Sequence, residues 1–226
     1  MKLVLDTANL DDIRYFNTYY PLAGVTTNPT ILSKEGGDVV AHLKEIRKII
    51  GDDKELHIQV TETKYEDIVE EAKKIVKTFG KNTYVKIPAN DVGLRAAKTL
   101  SAEGYKVTVT VVFSAGQALL AASAGASYVA PYVSRLDNMC ENGAETVAEI
   151  QQLFDISGVK TEILGASFKT AREVIDVALA GAGASTVSAE VMKKLLSHPA
   201  TDASIAGFTA DWEKAFGKTT LNALLK

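Results

Sequence analysis

"KLVLDTANLDD", residues 2–12, reads as a short apolar strand that stops at Asp6 and passes through Thr7, Ala8 and Asn9 into a helical pattern, with no glycine at the turn. A doubly wound α/β sheet that binds a dinucleotide places G-x-G-x-x-G at this turn, where glycine lets the backbone approach a pyrophosphate. The one G-x-G of the chain, in "GAGAS" at 181–185, lies between a helical pattern and a strand pattern. That is the wrong order for the fingerprint, and the segment reads as a helix C-terminal turn.

Outward from this first unit, the alternation recurs. Strand patterns read at "KLVLD" (2–6), "GVTTN" (24–28), "LHIQV" (56–60), "TYVKIP" (83–88), "KVTVTVVF" (106–113), "SYVAPYV" (127–133), "TEILGAS" (161–167) and "ASTVSA" (184–189). Helical periods read at 10–20, 39–50, 65–79, 92–104, 115–125, 145–154, 170–181 and 190–198. Eight strand–helix units without a Pro/Ser-rich linker predict an α/β fold of the (β/α)8 TIM barrel type. The expected organisation is a single barrel domain over 1–226 with an additional C-terminal helix, an arm over about 203–226.

Composition bounds the function classes. The 226 residues are 46% hydrophobic and 23% charged with a formal net charge of -3, enough to bury roughly 70% of the unfolded surface. No broad basic surface is expected, so neither nucleic acid nor an anionic membrane is an expected partner. No stretch approaches the ~18 apolar residues of a membrane span. Cys140 is the only cysteine, which excludes an internal disulfide and points to a reducing compartment. The N-terminus enters a strand without a signal-peptide pattern, and a cytoplasmic location is expected.

In a barrel of this kind the chemistry sits at the C-terminal ends of the strands. The residues read there are Asp6, Thr26, Thr27, Asn28, Gln59, Lys86, Thr110, Tyr132, Ser167 and Ser188. Period two in "KVTVTVVF" puts Thr108 and Thr110 on the inward face and Val107, Val109 and Val111 on the face toward the helices.

Lys86 can be read two ways. A strand-end lysine can run its stem along apolar surface and leave its ammonium in water. Held among apolar walls instead, it loses hydration of the charged form, and more free amine is available near neutral pH. A free amine forms a Schiff base with a ketone, an electron sink for carbon–carbon bond cleavage. This chemistry needs neither metal nor cofactor, and His42, His57 and His198 are scattered rather than spaced as ligands. His57 shares strand parity with Gln59 and reads as a satisfied core histidine.

The blocks "LDTAN", "PLAGVTTNPTIL", "YVKIP", "SAGQALLAASAGASYVAPYVSRLD" and "GASFKTAREV" occur in one order over most of the chain. Together they resemble the transaldolases, and within them the small subgroup of fructose-6-phosphate aldolase type. The resemblance implies that Lys86 forms the Schiff base, that Asp6 and Asn28 bind substrate hydroxyls and handle protons, and that Thr110 and Tyr132 hold the catalytic water. Thr26 joins Asn28 as a substrate-binding candidate. Transaldolases proper generally carry glutamate at the Gln59 position and phenylalanine at the Tyr132 position, whereas the aldolase subgroup carries glutamine and tyrosine.

Arg135, Ser167 and Lys169 supply a fork, a hydroxyl and a cation near the late strands, where barrel phosphate sites commonly form. Arg135 and Ser167 match phosphate-binding positions of the family, and Lys169 stands where many transaldolases have arginine. Thr170 is positioned to cap the helix of "TAREV". In the C-terminal arm, Phe208, Trp212 and Phe216 recur every fourth residue. Packing on the chain's own barrel is the default reading; the resemblance implies exchange with a neighbouring subunit in a homo-oligomer, a pentamer or decamer.

Three readings remain at this point. One is a Schiff-base aldolase that cleaves fructose 6-phosphate to dihydroxyacetone and glyceraldehyde 3-phosphate. The second is a transaldolase that moves the dihydroxyacetone unit between sugar phosphates, and the third a barrel that binds sugar phosphates without catalysis.

Overall fold

The computed structural model describes residues 1–225, so the last residue of the predicted arm, 226, lies outside the described residues. Two compact units make up the chain, Met1–Met192 and the segment from Lys193 onward.

The first unit contains a closed barrel of eight parallel strands in sequence order. It runs β1 (Lys2–Asp6), α1 (Leu10–Tyr19), β2 (Leu22–Thr26), α2 (Pro29–Glu35), α3 (Val39–Ile50), β3 (Glu55–Gln59), α4 (Tyr65–Phe79), β4 (Thr83–Pro88) and α5 (Asp91–Ala102). It continues with β5 (Val107–Val112), α6 (Ala115–Ser123), β6 (Tyr128–Pro131), α7 (Val133–Asn138), α8 (Gly143–Ser157), β7 (Glu162–Gly165), α9 (Ala171–Leu179), β8 (Ala184–Val187) and α10 (Ala189–Leu196). The barrel closes through β1 and β8, where Leu3 pairs with Ser185 and Leu5 with Val187. This is the (β/α)8 architecture expected from the alternation.

The helices follow their apolar period. In α4, Ile68, Ala72, Ile75 and Phe79 are buried, Glu66 and Asp67 occupy the first turn and Lys77 the last. Acid at the start and base at the end complement the helix dipole. The helix stops at Gly80, whose φ of +91° suits glycine.

The inside–outside alternation predicted for β5 holds through Thr110 and fails beyond it. Val4, Tyr84, Tyr128, Leu164 and Ala184 form a central apolar cluster. The register of β5 against β6 shifts between Thr110 and Val112, and Val111 takes a left-handed φ of +62°. Val111 therefore does not join Val107 and Val109 on the helix side; it lines the cavity at the strand ends, and Val112 is the residue buried beyond the bulge. A bulge resets the inside–outside phase of a strand.

Several boundaries also differ from the sequence reading. β2 ends at Thr26, and Asn28 is instead the N-cap of α2, accepting the Ile31 N–H. β6 ends at Pro131, with Tyr132 bridging only to Ala166 of the neighbouring loop. The short helices α2 and α7 had no predicted counterpart. Seven and six residues are too few to display a helical period.

At the N-terminal end of the barrel, Arg47 of α3 ties loops together. Its guanidinium donates to the carbonyls of Phe79 (3.0 Å), Gly51 (2.9 Å), Lys54 (2.8 Å) and Asn82 (3.1 Å) and to Thr83 Oγ1 (3.3 Å). The planar fork satisfies groups from the α3–β3 and α4–β4 connections at once.

The second unit continues from α10 into α11 (Pro199–Phe216) and α12 (Leu221–Leu224). α11 starts earlier than the expected arm. His198 caps it through the Ala200 N–H and Pro199 occupies the first turn, a position where proline's missing N–H costs no helical bond. Trp212 packs against Phe216 with ring centroids 4.6 Å apart and the planes tilted by 45°, and donates its indole N–H to the Thr219 carbonyl at 2.7 Å. Among the described residues, no helix is long and apolar enough to cross a membrane.

Replacing Arg47 by leucine leaves buried carbonyls without donors, and is expected to cost about 2–4 kcal/mol of unfolding free energy in urea titrations. Arg47→Lys, with fewer donors and no fork, should recover only part of it.

Candidate active site

A cavity of about 520 Å³ opens at the C-terminal ends of the strands, lined by residues from β1 and β3–β8 and from the loops that follow several of them. Of the twelve candidates named from the sequence, ten border it, Asp6, Asn28, Gln59, Lys86, Thr110, Tyr132, Arg135, Ser167, Lys169 and Ser188, whereas Thr27 is buried behind the wall. Thr26 does not border it either. It is fully buried behind the wall, where its hydroxyl donates to Asp6 Oδ1 at 2.7 Å and also contacts Thr186 Oγ1. Thr26 orients Asp6 rather than meeting the cavity itself.

Strand register explains why the central groups converge. Gln59 pairs with Lys86, and Pro88 with Thr110. The Lys86 side chain is inward-facing, with the residue only 5% exposed, and its Nζ donates to the Thr27 carbonyl at 2.8 Å. That carbonyl is held by the chain: the Thr27 N–H and Oγ1 both donate to the His57 carbonyl, at 2.9 and 3.1 Å.

Burial lowers the Lys86 ammonium below its ordinary range, and the Asp6 charge opposes that shift. The Asp6 carboxyl is raised, again by burial, with Lys86 and the Thr26 hydroxyl pulling the other way. Both groups are thus displaced toward their neutral forms. The pair makes an amine and an acid available close together in a poorly solvated wall.

On the other side of the cavity, the Thr110 hydroxyl donates to the Tyr132 phenol oxygen at 3.3 Å. The Tyr132 ring is fixed edge-on by Phe113 at 5.7 Å and lies under the Arg135 guanidinium at 4.8 Å. Arg135 and Ser167 come together because the start of α7 is bonded to the β7–α9 loop: Val133 N–H donates to the Ala166 carbonyl and Ser134 N–H to the Ser167 carbonyl. Ser167 itself has a left-handed φ of +63°. The buried Phe168 ring anchors the next position, and Lys169 reaches the cavity beyond it.

His57 lies below this level as a satisfied core histidine. Its Nδ1 is 3.0 Å from Thr108 Oγ1, its Nε2 3.2 Å from Glu55 Oε2, and its ring stacks on Tyr84 at 4.6 Å. Burial holds its imidazole below the usual range, although Glu55 pulls it up.

The cavity also includes residues that the sequence reading did not place there, among them Lys34, Val111, Phe168, Thr186 and Glu190. Thr186 could have been found from the alternation of β8, two residues before Ser188. Lys34 and Glu190 sit in helices after their strands, where period-two reasoning has no reach.

A family model described as "Transaldolase/Fructose-6-phosphate aldolase" matches residues 3–221. A "Probable transaldolase" of Lactiplantibacillus plantarum is 46% identical over 219 residues, covering 97% of this chain and 99% of the relative. One from Clostridium acetobutylicum is 44% identical, covering 96% and 100%. Among solved structures, a chain described as "Native KDPGal structure" superimposes with a TM-score of 0.59 at 11% identity, covering 82% of this chain and 80% of that one. A likeness at that identity speaks for the barrel fold alone.

The Lys86–Asp6 geometry makes a prediction with a definite sign. Reductive methylation of Lys86, followed against pH by peptide mapping, should titrate with an apparent pKa below the ordinary 10.5 of lysine. In Asp6→Asn, the one charge that favours the ammonium is gone, so the apparent pKa should fall further. A rise in that variant would contradict the assigned balance.

Proposed function

Because the chain belongs to the transaldolase/fructose-6-phosphate aldolase family, we propose that it cleaves the C3–C4 bond of fructose 6-phosphate through an imine on Lys86, releasing glyceraldehyde 3-phosphate and dihydroxyacetone. The observation that carries this reading is the buried Lys86 amine beside Asp6, with the Thr110–Tyr132 pair across the same cavity. Family membership supports an enzyme rather than a non-catalytic barrel.

The steps use groups of this chain. Free Lys86 Nζ attacks C2 of the open-chain ketose, and loss of water from the carbinolamine gives an iminium. Asp6, displaced toward its neutral form, gives its proton to the departing carbinolamine hydroxyl and, as the carboxylate that results, takes the proton of the C4 hydroxyl. The C3–C4 electron pair then moves into the iminium, leaving an enamine on Lys86 and releasing glyceraldehyde 3-phosphate. A proton delivered to C3 through Tyr132 and the water it holds regenerates the iminium, and attack of water at C2 frees dihydroxyacetone. Asn28 holds substrate hydroxyls, while Arg135, Ser167 and Lys169 hold the phosphate.

The relatives' names favour a second reading, in which the enamine waits for an aldose phosphate and the enzyme is a transaldolase. Gln59 and Tyr132 favour the aldolase. An amide can only orient a water, whereas a phenol can pass the proton that ends the enamine's life. Glyceraldehyde 3-phosphate should form from fructose 6-phosphate alone, and Tyr132→Phe should lose at least tenfold of that rate, within the usual range for a proton-transfer group. Turnover only after erythrose 4-phosphate is added would establish the transaldolase instead. Borohydride reduction should trap the adduct on Lys86 under either reading, and chelators should leave the rate unchanged.

The exposed second unit supports our reading of the protein as a homo-oligomer, and the family resemblance is what implies a pentamer or decamer. No residue of α11 is buried, and Phe208 is 73% exposed; an apolar helix face of this kind gains most by meeting another surface. Deletion from Ile205 onward is expected to reduce the mass seen by light scattering. An unchanged mass would place the contacts between subunits elsewhere.

A further inference from the structure

The start of α9 already contains an anion, and it belongs to the chain. Glu173 Oε2 accepts the backbone N–H of Lys169 at 2.7 Å and that of Thr170 at 3.3 Å. In return the Glu173 N–H donates to Thr170 Oγ1 at 3.2 Å, completing a capping box. A helix start is a natural place for a phosphate, because unpaired N–H groups point out of it. Here the carboxylate engages the N–H of the N-cap Thr170 and that of the residue before it, Lys169, whose side chain lines the cavity. The loop that leads to these donors passes through Ser167, in a left-handed conformation, and the buried Phe168.

We propose that Glu173 is a specificity-determining residue: its carboxylate competes with the substrate phosphate for the Lys169 end of α9, and so limits how tightly phosphorylated sugars are held. The inference rests on the reading that Arg135, Ser167 and Lys169 bind the phosphate. Two effects act in the same direction. The carboxylate takes the Lys169 and Thr170 N–H groups, and its charge repels an incoming dianion while drawing on the field of Lys169. A phosphorylated product held less tightly leaves sooner, so the competition favours turnover over retention.

Glutamine also completes a capping box, so Glu173→Gln removes the charge and keeps the shape. The assay is borohydride trapping of the Lys86 imine at varied concentrations of fructose 6-phosphate and of dihydroxyacetone, which needs no assumption about the later fate of the enamine. In Glu173→Gln the half-saturating concentration of fructose 6-phosphate should fall about three- to tenfold, as expected for one charge close to a surface site, and that of dihydroxyacetone should not move. The gain should shrink as salt is raised, and inorganic phosphate should compete more strongly. A merely structural cap would change both sugars together, along with the melting temperature.

Arg135→Ala separates the two layers of the argument. If it weakens fructose 6-phosphate selectively while Glu173→Gln has no effect, weakens binding, or alters both sugars equally, the role of Glu173 is overturned and the phosphate site stands. If Arg135→Ala affects both sugars equally, the phosphate site falls and the role of Glu173 falls with it.

Discussion

A closed eight-stranded barrel leaves its axis to side chains, so every polar group that points inward must find its partner in the wall. That constraint organises this molecule from one end to the other. At the N-terminal end, Lys2 Nζ donates to the Tyr128 phenol at 2.6 Å and the phenol donates to Glu55 at 3.1 Å. One level up, Glu55 and Thr108 hold His57. At the level of the cavity, Thr26, itself in contact with Thr186, steadies Asp6, and Lys86 donates to the Thr27 carbonyl. The polar groups at the base pair with one another, whereas burial displaces Lys86 and Asp6 toward their neutral forms. Desolvation at that level supports the reactivity we propose for Lys86.

The same geometry divides labour between strand ends and loops. Lys86, Gln59, Asp6 and Thr110 are carried by strands whose register is fixed by ladder hydrogen bonds. The groups assigned to the phosphate lie after β6 and β7, on a loop pair stitched by Val133 and Ser134 N–H groups. In the function we propose, positioning for bond cleavage would rest largely on strand ends, and binding of the substrate's charged end on loops that can be tuned without moving the barrel.

Much of this was legible in the sequence. Eight strand patterns, each ending in polar residues, were enough to predict the barrel and to place Lys86 and Asp6 at one mouth, because period two and the strand-end rule depend on local pattern alone. Thr26 was misjudged for a physical reason: strand parity says which way a side chain points but not whether another side chain stands in front of it. Val111 was misassigned because a bulge leaves no mark in a run of valines. Thr170 was read as a helix cap, whereas Glu173 was not singled out, because the donors it engages depend on the path of the preceding loop.

The bulge in β5 has a further meaning. A β-branched residue in the left-handed region is an unfavourable choice of backbone, and the chain carries it between two residues with fixed duties, Thr110 facing Tyr132 and Val112 buried under the helices. Val111 is released from both faces of the sheet and is answerable to neither the barrel interior nor the helical layer. It contributes wall area to the cavity from a position that bears no share of the core. Such a position lets a lineage reshape what the cavity accepts by exchanging one side chain, while the packing that keeps the barrel closed goes unchanged: a small reserve of evolvability inside an otherwise fully committed strand.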